Sequence, residues 1–141
     1  MKIRGEVIEH ILAHAERDAP VEACGYLLGS GGSITRDLPM TNAEGREDHF
    51  TFDPKEQFEA YRMARALEVE IVGAYHSHPA TPARPSEEDI RLAFDPGILY
   101  VIVSLMGGER TVKAFWIRDG KGEEEPLVTE QGGTGKENYD E

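Results

Sequence analysis

The residues best suited to chemistry in this 141-residue chain are His76, His78, Ser86 and Asp89. His76-Ser77-His78-Pro79 ends an apolar run, and Ser86-Glu87-Glu88-Asp89 follows a proline-rich turn. Residues two apart in a strand project from the same face, so both imidazoles can aim at one point. An aspartate from a neighbouring element would complete a His/His/Asp set, which suits zinc with one position left open. Such a metal lowers the pKa of its bound water from about 15.7 to about 7 and so makes a hydrolytic nucleophile at neutral pH. Plainer readings stand beside this one. Two histidines can simply end a strand, and Ser-x-x-Asp is also the capping box of a helix. Capping and ligation are compatible, because a serine that starts the helix fixes where Asp89 points.

Hydrolysis also needs a carboxylate to move the proton and a donor facing the developing oxyanion. Glu87 and Glu88 are near in sequence but face away on a helix. Glu22, in Glu22-Ala23-Cys24-Gly25-Tyr26-Leu27-Leu28-Gly29, reads by composition as an exposed glutamate after a helix. His10 and His14 have the i, i+4 metal spacing but lack the glutamate of His-Glu-x-x-His, so they read as solvated helix-face residues. His49 could line a substrate groove. Cys24 reads as a small buried hydrophobe. Gly29-Ser30-Gly31-Gly32 lacks the Gly-Lys-Ser/Thr ending of a phosphate loop and reads as a turn.

These residues need elements to hold them. Arg4 to Asp18 has the apolar spacing of a helix, with Val7, Ile8, Ile11, Leu12 and Ala15 on one face. Residues 22–28 read as a buried strand, and Ser33 to Met40 as its hairpin partner. Thr41 to Asp48 is a polar loop, and residues 49–52 have strand character. Asp53-Pro54 starts a helix running to Leu67, with Phe58, Tyr61, Ala64 and Leu67 on the core side. Glu70 to His76 is a central strand, Ser86 to Phe94 a helix, and Ile98 to Leu105 a strand buried on both faces. Arg110 to Arg118 returns as a strand, and Glu124 to Thr129 adds an edge strand. The pattern predicts the α/β class: one domain, residues 1–129, with a mixed β-sheet and helices on its faces. Residues 130–141 are glycine-rich and acidic and are expected to be a disordered tail.

The formal net charge of −12 disfavours nucleic-acid and anionic-membrane binding. The apolar runs are too short to span a bilayer. No secretory signal is evident at the N-terminus, and the single cysteine excludes an intrachain disulfide. These features lead us to expect a cytoplasmic protein.

Taken together, Glu22, His76-Ser77-His78-Pro79 and Ser86-Glu87-Glu88-Asp89 resemble the JAMM (MPN-plus) zinc metalloprotease family. The order is a glutamate, then His-x-His-Pro, then Ser-x-x-Asp, with ten residues between His78 and Asp89. Phe50-Thr51-Phe52-Asp53-Pro54 is similar to the strand-to-helix entry of its compact prokaryotic members. The resemblance runs from the first helix to near Arg118. It implies an MPN/JAB fold, related to cytidine-deaminase-like enzymes. It also implies one zinc per chain bound by His76, His78 and Asp89, Glu22 as general acid/base, and Ser86 as oxyanion donor. Ser77 should point to the opposite face and take no chemical part. The implied substrate is a small ubiquitin-like sulfur-carrier protein, cut after its C-terminal Gly-Gly. The competing readings are a catalytically silent MPN-type scaffold, which would lose ligands, and a zinc deaminase, which would need His-x-Glu and Pro-Cys-x-x-Cys. The oligomeric state is left open.

Overall fold

A computed structural model describes residues 1–45, 50–93 and 95–131. In chain order the strands and helices are β1 (Lys2–Arg4), α1 (Gly5–Asp18), β2 (Cys24–Ser30), β3 (Ser33–Met40), α2 (Pro54–Ala66), β4 (Glu70–His78), α3 (Glu87–Leu92), β5 (Leu99–Ser104), β6 (Thr111–Arg118), β7 (Lys121–Glu125) and β8 (Val128–Glu130). The strands form one mixed sheet in the order β7-β6-β5-β4-β2-β3-β1-β8. β4 is central, antiparallel to β2 and parallel to β5. It extends two residues beyond the expected end, so both His76 and His78 lie inside the strand.

The two faces of the sheet carry separate cores. On one, Leu27, Tyr75, Leu99, Val101 and Val103 pack under Val7, Ile11, Leu12 and Ala15 of α1. No side chain caps the N-terminus of α1. A cap is worth about 1 kcal/mol, whereas each buried aliphatic side chain contributes about 1.5–3 kcal/mol, so packing holds this helix. On the other face, Cys24, Tyr26, Ala74, Tyr100 and Ile102 meet α2 through Ala60. β5 is buried along its whole length, as its unbroken apolar run requires.

Several expectations are corrected. Phe58, Tyr61 and Leu67 are 64%, 56% and 43% exposed; of the expected core side only Ala64 is buried, and Ala60 joins it. Small residues let the helix lie close to the sheet, which pushes its large side chains to the flanks. His14 is not solvated. It is buried, with Nδ1 2.7 Å from the Tyr75 hydroxyl and Nε2 3.1 Å from Asp18. His10 does stay at the surface, beside Asp37. The expected edge strand at 124–129 is two strands separated by Pro126-Leu127. β7 pairs with β6, and β8 pairs with β1 at the far end of the strand order. Only two residues join the two edges, so the sheet must curl until they meet. The Met1 ammonium ties the seam to Glu125 at 2.7 Å. β1 was not foreseen.

Glu130 closes β8, and its carboxylate accepts a 2.7 Å hydrogen bond from Ser33. Most of the expected tail (132–141) lies outside the described residues, as do His49, the end of the 41–48 loop and Phe94. Among the described residues no helix is long and apolar enough to cross a membrane.

Candidate active site

The site forms where β4 ends. His76 pairs with Cys24 of β2 on one side and with Ile102 of β5 on the other, and His78 pairs with Ser104. Beyond His78 the chain leaves the sheet but stays anchored. The Ser104 hydroxyl donates to the Thr81 carbonyl at 2.6 Å, and the Leu105 N–H donates to the His78 carbonyl at 3.1 Å. This strapped loop delivers Ser86 to the start of α3. Ser86 Oγ accepts the Asp89 N–H at 3.0 Å, and Asp89 accepts the Ser86 N–H at 2.9 Å. The capping box is therefore real, and it aims Asp89 back at the histidines.

His76 Nε2, His78 Nε2 and Asp89 Oδ2 form a triangle with sides of 3.2, 3.0 and 3.1 Å. All three side chains are largely buried. Ligands at about 2.0–2.1 Å from a tetrahedral zinc stand about 3.3–3.4 Å apart, so the triangle fits with a small expansion. The donor set fits as well. His78 Nδ1 lies 2.8 Å from the Pro82 carbonyl, which can only accept. Nδ1 therefore carries a hydrogen, so the neutral ring keeps its lone pair at Nε2, the tautomer a metal needs, and the protonated ring donates from Nε2 to Asp89. Two ring nitrogens and a carboxylate oxygen this close can hold one cation among them.

The electrostatics agree. Burial by itself raises the Asp89 carboxyl, but the hydrogen bonds from His76, His78 and the Ser86 N–H overcome it and hold the carboxyl well below the usual range. Burial pushes His78 down, yet Asp89 and the Pro82 carbonyl bring the net shift upward.

Glu22 is placed by register. Cys24 faces His76 across the β2–β4 ladder. Continuing that ladder sets Ala23 against Ser77 and Glu22 against His78. Alternation puts Glu22 and Cys24 on the face that carries both histidines. Glu22 is 6% exposed, against the surface position its composition suggested, and its charge acts on His78. The Cys24 thiol is fully buried, and burial pushes it up to about 12, which disfavours the thiolate.

Three supporting residues were not foreseen. Ser77 is the residue expected to take no chemical part, and its role is structural. Its hydroxyl accepts the Ala23 N–H at 2.8 Å, and its own N–H donates to the Ala23 carbonyl at 2.9 Å. Asn42 donates through Nδ2 to the Glu22 carbonyl at 3.1 Å, while its Oδ1 accepts from Thr51 at 3.3 Å. The Phe50 ring stacks on His76 with centroids 4.9 Å apart. Ser77 could have been found from strand alternation, but Asn42 and Phe50 act only through tertiary structure.

Comparison with known proteins agrees with this geometry. Residues 5–118 match the model of the prokaryotic homologs of the JAB domain. The chain belongs to that family. A curated relative, the CysO-cysteine peptidase of Mycobacterium tuberculosis, is 44% identical over 92% of this chain and 91% of its own. The desampylase of Haloferax volcanii is 33% identical over 72% of this chain and 75% of its own. A solved structure described as JAMM, a metalloprotease-like zinc site in the proteasome and signalosome, superimposes with a TM-score of 0.60. It is 27% identical over 93% of this chain and 98% of that one. The MPN/JAB architecture is therefore that of the family, and the protein is a JAMM-type hydrolase.

Proposed function

We propose that this protein is a zinc-dependent peptidase that cuts the bond after the C-terminal Gly-Gly of a small ubiquitin-like carrier protein. The observation that carries the reading is the His76–His78–Asp89 triangle with a buried glutamate, Glu22, whose charge acts on His78. Relatives named for a carrier–cysteine bond and for desampylation support the substrate class.

In this reading His76, His78 and Asp89 hold one zinc per chain. Bound there, zinc supplies Lewis-acid activation of water at neutral pH. Glu22 accepts the proton from the attacking water and later delivers it to the leaving amine. Burial suits that task, since it keeps bulk water from competing. Ser86 spends an Oγ lone pair on the Asp89 N–H, which orients its hydroxyl, and the O–H donates to the developing oxyanion. Because Ser86 also caps α3, the residue that aims Asp89 is the one that greets the oxyanion.

The test uses carriers from the same organism, each bearing a short extension after Gly-Gly. Zinc-loaded protein should release the extension, chelator should stop it, and added zinc should restore it. His78→Ala should lose stoichiometric zinc by mass spectrometry. A protein that holds one zinc and releases nothing from any carrier would shift the reading to a silent scaffold.

A further inference from the structure

Beside the metal ligands lies a cavity of about 350 Å³ whose wall includes His76 and Asp89. It runs from the triangle toward β6, between the sheet and α3. Its apolar surface comes from Phe52, Ala74, Leu92, Ala93 and Ile117. Its other polar side chains have partners within the protein. Gln57 donates to the Tyr26 hydroxyl at 3.2 Å, Thr51 to Glu44 at 2.8 Å, and Glu88 pairs with Arg91 at 3.6 Å. The Tyr100 hydroxyl bonds Asp95 at 3.2 Å. An acidic occupant would meet the carboxylates of Glu88 and Asp89 and no lysine or arginine in the wall, and desolvating it would be costly.

The geometry points to this cavity as the pocket for the leaving residue, selecting a neutral, apolar side chain on the amine side of the scissile bond. The inference rests on the proposed reaction. The acyl side of that bond ends in glycine, which has no side chain to fill a cavity. The volume lies near the lower end of the range for small-ligand sites, about 300–1,000 Å³, so it suits one amino acid rather than a protein surface. Ala93, the residue that follows α3, is part of the wall, so a larger side chain there would narrow the cavity.

The experiment is a set of identical carriers ending Gly-Gly-X, with X as Leu, Met, Cys, Ala or Asp, cut by the zinc-loaded enzyme. Leucine and methionine should be released with kcat/KM at least about tenfold above aspartate, the discrimination an apolar pocket can supply. Ala93→Leu should lower the leucine value at least about fivefold more than the alanine value. A flat profile, a preference for aspartate, or an equal fall for both substrates would overturn the pocket. Binding gives an answer that does not depend on cleavage. L-leucine and L-aspartate are titrated into zinc-loaded protein and read by methyl NMR at Ile117 and Leu92. Saturable shifts with leucine alone support the pocket even if no carrier is cut, and in that case the proposed reaction fails rather than the pocket. No saturable shift with either amino acid overturns it.

Discussion

Ser77 and Ala23 grip each other twice, through the Ser77 hydroxyl and through the Ser77 backbone N–H. Ser77 sits between the two histidines, and Ala23 follows Glu22. The clamp therefore fixes the spacing between the two histidines and Glu22, the proposed ligands and proton carrier. Ser77→Ala leaves the buried Ala23 N–H without its acceptor, at a cost of about 1–3 kcal/mol. The ligands themselves are untouched. Zinc content should be kept while kcat falls about tenfold to a hundredfold, as expected for a misplaced group. Loss of zinc with kcat per bound metal unchanged would show that Ser77 serves the ligands and not Glu22.

Gly122 gives a second handle, far from the chemistry in sequence. A Cβ at Gly122 would stand 3.2 Å from the Pro85 ring. Pro85 precedes Ser86, so bulk on β7 pushes on the start of α3. Gly122→Val should weaken zinc binding about tenfold, the scale of supporting-residue effects on metal sites. Competition with a chelator measures it. Unchanged affinity would mean that the turn yields without moving Asp89.

His14 predicts an acid-side instability. Burial lowers its pKa, and Asp18 only partly opposes this. The unfolded chain then binds the proton more readily than the folded one, so stability rises with pH in this window. The contribution is complete above the unfolded value of about 6.5. It is lost progressively as pH falls from there toward the lower folded value. Urea unfolding from pH 7.5 to pH 5 should show a steeper loss in wild type than in His14→Gln. Comparing the two removes the titration of the metal site, which both proteins share. Parallel curves would mean that His14 charges without penalty.

The parts of this fold that were legible in the sequence are those set by local spacing. His76 and His78 announce a shared face because a strand alternates, and Ser86 and Asp89 announce a helix start because a capping box has a fixed interval. The β5 run of Leu99–Ser104 reads as doubly buried because all six residues are apolar or small. What was not legible depends on pairing between distant segments. Glu22 looks like a surface residue until Cys24 is set against His76. β1 and β8 have three residues each and exist only because they pair with each other and β1 with β3. On α2 the aromatic residues mislead. Phe58 and Tyr61 suggest the core face, but the close approach of helix and sheet selects Ala60 and Ala64. His14 misleads in the other direction, since only the fold brings Tyr75 to it.

The central claim is that Glu22 moves the proton for a metal held by three other residues, and one variant tests it directly. Glu22→Gln keeps the size of the side chain and removes its basicity. The account predicts one zinc per chain by mass spectrometry and a rate of carrier cleavage lowered by about 10²–10⁴-fold, the usual worth of a general base. Full zinc occupancy with cleavage at the wild-type rate would contradict it.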